Sequence, residues 1–188
     1  LQKIADEVFV NGLIEYDIKS GWRGSIENLN NKLITEQNYE NVHINPFPKK
    51  WKLSQLIEIS KDSLTITYED SSKKIIDFNN GNKWLSKVDF QLGDIFFTEE
   101  KAIDTILKKK EVLIRQIPEA NGGIIVIDPH TGKVLALTGG FSFDLSEFNR
   151  ATQAKRQSGS AFKPFVYITA LKEGYTPSTL ILDAPYVI

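Results

Sequence analysis

Ser160 stands three residues before Lys163, in the run Arg156-Gln157-Ser158-Gly159-Ser160-Ala161-Phe162-Lys163-Pro164-Phe165. On a helix, residues i and i+3 share a face. The start of a helix offers unpaired N–H groups and the positive end of the dipole. A serine there, with a lysine one turn on, is a compact device for acyl transfer. Ser160 would supply the attacking oxygen and Lys163 would take its proton. A free lysine titrates near ~10.4, so this needs desolvation or nearby cations, which lower the value into the range of a working base. Gly159 allows a tight turn immediately before the serine, and Pro164 falls in the first turn, where a missing N–H matters least. The alternative is structural: Ser160 as an ordinary helix-capping serine.

The four-residue pattern recurs at Ser71-Ser72-Lys73-Lys74. That copy lies between the β-rich runs 64–68 and 74–78, behind Glu69-Asp70, and reads as a solvated hairpin turn. Context therefore separates the two copies. The Ser160 copy runs into Phe162, Phe165, Val166, Ile168, Thr169, Ala170 and Leu171, an apolar helical pattern ending near Gly174.

Other chemistry finds little support. There are 2 histidines and no cysteine in 188 residues. His130 falls in a turn and is expected to be exposed, and His43 lacks a carboxylate pattern around it. A Ser-His-Asp triad, a histidine metal site, a thiolate site and a disulfide are all disfavoured. No metal and no cofactor are expected. Asp128 reads as a turn aspartate, and Asp144, Glu147 and Asn149 as part of a solvated loop, with the lining of a cleft as the alternative. Arg150, Lys155 and Arg156 read as surface charge, with a raised positive potential near Lys163 as the alternative. A net charge of −1, from 23 basic and 24 acidic residues, gives no pull toward nucleic acid. No apolar run approaches the ~18 residues that span a membrane.

The elements that must position Ser160 follow from patterning. Residues 1–18 read as a helix with Leu1, Ile4, Ala5, Val8, Leu13 and Tyr16 as its apolar positions, ended by Gly21 and Gly24. Residues 26–41 carry a loose helical spacing. From Val42 to Thr98 short β-rich runs alternate with turn clusters: 56–59, 64–68, 74–78, 84–85, 88–90 and 94–97. That spacing points to a small closed or sandwiched β domain. Trp51 and Trp84 are expected to pack rather than to form a binding platform. A strand over 112–117 leads out of this domain. The runs 123–127 and 134–137, joined by Asp128-Pro129-His130-Thr131-Gly132, form a hairpin. Their near-continuous apolar character predicts that both of its faces are covered. The stretch 142–158 reads as a polar loop delivering the chain to Ser160. The absence of methionine and the start at Leu1 imply an excerpt or processed piece of a longer protein.

The residues 121–141, from Asn121-Gly122-Gly123 to Gly139-Gly140-Phe141, resemble the opening hairpin of a penicillin-binding transpeptidase domain. The run Phe148-Asn149-Arg150-Ala151-Thr152-Gln153-Ala154-Lys155-Arg156-Gln157, then Gly159-Ser160-Ala161-Phe162-Lys163-Pro164, resembles its active-site approach and its Ser-x-x-Lys motif. Tyr175-Thr176-Pro177 and Asp183-Ala184-Pro185 fit as well. Leu13-Ile14-Glu15-Tyr16-Asp17 with Gly21-Trp22-Arg23-Gly24 resembles the segment that begins this domain in Gram-negative, class A (bifunctional) penicillin-binding proteins. Ser158 departs from the family, which usually has proline there, and should loosen the turn slightly.

What the resemblance implies is an α+β fold: a small antiparallel OB-like β-barrel plus an incomplete transpeptidase domain of the β-lactamase-like kind. The transpeptidase domain would start over 1–25, the OB-like insert would fill 26–115, and 116–188 would carry the hairpin and active-site helix. Ser160 would be the nucleophile of a peptidoglycan D,D-transpeptidase, acylated by stem peptides and by β-lactams, with Lys163 as its base. The parent protein would also be a glycosyltransferase, anchored in the inner membrane and facing the periplasm. The further Ser-x-Asn and Lys-Thr-Gly motifs of such enzymes do not occur here, so the isolated chain is expected to be nearly inactive. The other reading is an OB-like binding module docking periplasmic regulatory proteins or glycan.

Overall fold

A computed structural model describes residues 1–30, 32–34, 48, 50–104 and 109–185. The expected helix over 26–41 therefore lies partly, and His43 wholly, outside the described residues. The chain divides into two compact units, Leu1–Gln153 and Ala154–Ile188.

The first unit opens with helix α1, Gln2–Ile18. Its buried residues are Ala5, Ile14 and Asp17. The expected stripe of Leu1, Ile4, Val8 and Tyr16 faces solvent instead. The helix is apolar over more than one face, and the face it buries is the one whose polar member, Asp17, finds partners. The Asp17 carboxylate accepts from Arg23 Nη1 at 2.7 Å, Gln116 Nε2 at 2.8 Å and the Glu119 N–H at 3.2 Å. Gln116 Nε2 also donates to the Gly21 carbonyl, and Arg23 Nη2 to that of Ile117. One carboxylate thus ties the end of α1 to the segment after β6, 99 residues on in the case of Gln116.

The β domain is antiparallel throughout. Its strands are β1 (Glu27–Asn28), β2 (Trp51–Ile59), β3 (Ser63–Thr67), β4 (Lys73–Asp77), β5 (Asp94–Asp104) and β6 (Lys109–Arg115). They form one sheet in the order β1-β5-β2-β3-β4, with β6 also on β5. The helical reading of 26–30 is corrected: Glu27 and Asn28 pair with Ile95 and Asp94 of β5. Asn28 Nδ2 donates to the Leu92 carbonyl and to Asp94 Oδ1, which holds the segment extended along the β5 edge. The expected strands at 84–85 and 88–90 are also corrected. The first lies in a 3-10 turn, Asn80–Leu85, and the second is irregular, with Phe90 buried.

Side chains alternate across a strand, and β2 and β5 bury both faces. Leu56 and Phe96 face one core with Leu64, Ile66, Tyr68, Ile76, Leu85, Val112 and Ile114. Trp51, Leu53, Ile95 and Phe97 face the other, against Ile14 of α1 and Phe141. Both tryptophans in question pack: the Trp51 ring lies 5.7 Å from Phe97 and 5.8 Å from Phe141, and Trp84 lies edge-on to Trp22 at 6.2 Å.

Among the described residues the hydrogen-bond ladder does not close into a barrel; β4 and β6 are not paired. Side chains span the gap between them instead. Fully buried Asn82 donates to the carbonyls of Asp77 and Val112 and accepts from the Ile114 N–H at 3.0 Å. At the other end Glu100 pairs with Lys74 of β4 at 3.7 Å and Lys110 of β6 at 3.2 Å.

Strands β7 (Ile124–Ile127) and β8 (Val134–Thr138) form a separate two-stranded sheet. Gln2 of α1 bonds both the N–H and the carbonyl of Leu137, capping the β8 edge. The expectation of two covered faces is corrected: Ile125, Ile127, Val134 and Leu135 are exposed. The first Ser-x-x-Lys copy is a hairpin turn, as expected, with Ser71 at φ 61° and Asp70 Oδ1 accepting from the Ser72 N–H and hydroxyl.

Candidate active site

The second unit carries both candidate catalytic residues. Ser158 leads into a 3-10 turn, Gly159–Phe162, and helix α2 follows over Lys163–Lys172 with proline in its first turn. Gly159 has φ 51°, the left-handed region that a side chain disfavours. That reversal sets Ser160 at the second position of the turn. The Lys163 N–H donates to the Ser160 carbonyl, closing one 3-10 turn between the two residues. In 3-10 geometry i and i+3 eclipse one another, so serine and lysine rise from one side of the segment.

Ser160 is not the residue at the cap of either helix. Ser158 precedes the 3-10 turn and Phe162 precedes α2, and neither start carries a side-chain cap bond. Both candidate side chains are exposed. Helix α2 ends at Glu173 and Gly174, the latter at φ 88°. It buries no residue, although Phe165, Val166, Ile168 and Leu171 make it apolar nearly all round. A helix with that surface is built for an interior.

The approach to this segment belongs to the first unit. Residues 149–153 form a single hydrogen-bonded turn seated on Gly139 at the end of β8. A cleft of about 330 Å³ lies beside it, between α1 and the 139–149 loop, lined by Asp6, Val10, Thr138, Phe141, Glu147 and Phe148. Its inner carboxylate, Asp6, is already engaged by Gln2 and by the Thr138 hydroxyl.

Residues 122–188 match the family model "Penicillin binding protein transpeptidase domain". The whole chain aligns with penicillin-binding protein 1A of Rickettsia prowazekii at 36% identity over 202 residues, covering 24% of that protein. The same protein of Pseudomonas aeruginosa aligns at 31% identity, over 100% of this chain and 24% of its own length. In three dimensions the chain superposes on the crystal structure of penicillin-binding protein 1A from Haemophilus influenzae with a TM-score of 0.78 at 29% identity, over 100% of this chain and 28% of that one. Over its whole length the chain is thus similar to a segment of penicillin-binding protein 1A. It spans about a quarter of the length of the curated relatives it matches.

The serine at 158, where the resemblance implies proline, disturbs little. Ser158 adopts φ −65°, the angle a proline ring would impose. The expected loosening is thus one of freedom in the unfolded chain rather than of native geometry. Among the basic residues, Arg150 is half-buried and occupied: its Nη1 donates to the Phe148 carbonyl and its guanidinium lies 5.7 Å from the Phe148 ring. Lys155 and Arg156 are exposed. His130 is exposed in the hairpin turn, and Asp128 is the turn residue it was expected to be. Backbone bonds from Thr131 and His130 hold the Asp128 carboxyl below the usual carboxylate range. Among the described residues no three His, Cys, Asp or Glu side chains converge as metal ligands, and no helix is long and apolar enough to cross a membrane.

Sequence reasoning gave Asn149 to a solvated loop. It is half-buried at the edge of the cleft, with its backbone N–H, its carbonyl and its Oδ1 all bonded. The signal that could have found it is an asparagine with a glutamine one turn later, a spacing close to that of a capping box.

Proposed function

We propose that this chain is the start of the transpeptidase domain of a peptidoglycan-cross-linking enzyme, with Ser160 as nucleophile and Lys163 as its base. The observation carrying this is the 3-10 turn that closes from Lys163 to Ser160 within the segment matching the transpeptidase family. Ser160 Oγ attacks the carbonyl of the penultimate D-alanine of a stem peptide. The Oγ–C bond forms, the peptide C–N bond breaks, and terminal D-alanine leaves. Lys163 takes the hydroxyl proton and returns it to the departing amine. The Ser160 N–H is one donor to the developing oxyanion. An amine of a neighbouring strand then attacks the acyl-enzyme and forms the cross-link. β-Lactams acylate the same oxygen.

The domain reading is that 1–25 and 116–188 belong to the transpeptidase domain and that 26–115 is an OB-type insert. Support for the insert lies in the Asp17 knot, which gathers the chain entering the β domain and the chain leaving it at one carboxylate. Support for a barrel of OB type lies in the side-chain bridging of the β4–β6 gap by Asn82 and Glu100. The parent is read as a periplasm-facing, membrane-anchored protein that also polymerises glycan, as expected from the family.

Release of D-alanine from a stem pentapeptide by the full-length protein tests the reading. Ser160→Ala should abolish release, and Lys163→Ala should lower it by about a hundredfold or more, within the range for a proton-transfer group. Undiminished release by Ser160→Ala would remove Ser160 from the mechanism.

A further inference from the structure

Residues 149–153 form one closed turn. The N–H groups of Thr152 and Gln153 donate to the Asn149 carbonyl at 3.3 and 2.8 Å. Asn149 Oδ1 accepts from the Ala151 N–H at 3.0 Å, and Gln153 Oε1 accepts from the Asn149 N–H at 2.6 Å. The two side chains thus satisfy the backbone donors of Asn149 and Ala151 in the first half of the turn, in a manner like that of a capping box.

The turn is also fixed to the hairpin. The Arg150 N–H donates to the Gly139 carbonyl at 2.8 Å. A Cβ built on Gly139 would fall 1.8 Å from Asn149 Oδ1 and 2.3 Å from its Cγ. A Cβ on Gly123 would meet the Ala151 nitrogen at 3.0 Å. Backbone therefore touches backbone, and the turn cannot slide without breaking these contacts. Gln153 is the last residue of the first unit, so the turn is its final anchored point before the chain runs on to Gly159.

We propose that Asn149 is a positioning residue for Ser160, acting through its side-chain oxygen: locked between Gly139 and Gln153, it fixes where the chain leaves the hairpin toward the nucleophile. The inference rests on Ser160 being the acylated residue. Asn149 Oδ1 and Gln153 Oε1 both work as acceptors here, so a carboxylate at either position keeps the bonds. An amide that touched substrate through its N–H groups would not tolerate that exchange.

The test is the second-order rate of acylation of the full-length protein by a fluorescent penicillin. Asn149→Ala and Gln153→Leu should slow it by about tenfold or more, since a small misplacement of reacting groups carries penalties of that order. Gly139→Ala should do the same by pushing the turn off its seat. Asn149→Asp and Gln153→Glu should stay within about threefold of wild type, on the charged acceptor bonds they retain. Wild-type acylation in Asn149→Ala, or a loss in Asn149→Asp as deep as in Asn149→Ala, overturns the proposal. In the 188-residue chain, Ala151 amide exchange should quicken in Asn149→Ala and hold in Asn149→Asp; unchanged exchange in Asn149→Ala also overturns it. Should the wild-type protein resist acylation altogether, the assignment of Ser160 fails, while the exchange measurement still decides whether the turn is locked as described.

Discussion

At the scale of single residues, the polar side chains that matter most are the buried ones with full sets of partners. Asp17 is 3% exposed and accepts three hydrogen bonds. Replacing it with alanine strands a guanidinium, an amide and a backbone N–H together. Asp17→Ala should cost about 3 kcal/mol in urea unfolding, the low end for breaking a buried pair because Arg23 keeps some solvent. A cost under about 1 kcal/mol would mean that the knot is dispensable. Asn82 poses the same question inside the β domain. Asn82→Leu keeps the volume but leaves the Ile114 N–H and two carbonyls unpaired, and should lose about 2 kcal/mol. The turn that Ser160 and Lys163 share was legible in sequence because glycine before and proline after give the motif a local frame. Asp17 and Asn82 were not, because the partners that make them special lie far along the chain.

Elements tell the same story about range. The β7–β8 hairpin was readable since both strands and the Asp128–Gly132 turn lie in one short stretch. The pairing of Glu27 and Asn28 with β5 was not, because the edge that draws them into a strand comes some 65 residues later, as with Asn28 and Asp94 at a separation of 66. Strand β5 was read too short: its outer half, Lys101–Asp104, owes its form to pairing with β6 rather than to its own charged residues. Between elements, the Lys74–Glu100–Lys110 clamp gives the β4–β6 gap a pH signature. Desolvation pushes the Glu100 carboxyl up, but the Lys110 hydrogen bond and the charges of Lys74, Lys110 and Lys52 outweigh it and hold the group below its usual range. A depressed native value stabilises the fold fully above the unfolded-state value of about 4.3 and loses that contribution as pH falls through the native one. Urea midpoints of wild type and Glu100→Gln should therefore differ at pH 7 and converge in acid. A gap that stays constant down to pH 2 would rule out the clamp as its source.

For the molecule as a whole, the two units differ in kind. Residues Leu1–Gln153 share two apolar clusters and a buried polar knot. Helix α2 has ten residues and buries none, and isolated helices shorter than about 12–15 residues are marginal in water. Amide exchange on the 188-residue chain should find β2 and β5 protected to the level of global unfolding and Lys163–Lys172 orders of magnitude less so. Equal protection in both would contradict this division. If Ser160 has the proposed role, the 188-residue chain by itself should be nearly inactive, because a nucleophile on a helix that buries no residue would lack the fixed donors that acyl transfer needs. The measurement that bears most directly on the central claim is the mass-spectrometric location of a β-lactam adduct on the full-length protein. One penicilloyl group should appear, on the peptide carrying Ser160, and none on the peptide carrying Ser71 and Ser72. An adduct on any other residue, or no adduct at saturating β-lactam, would contradict the account.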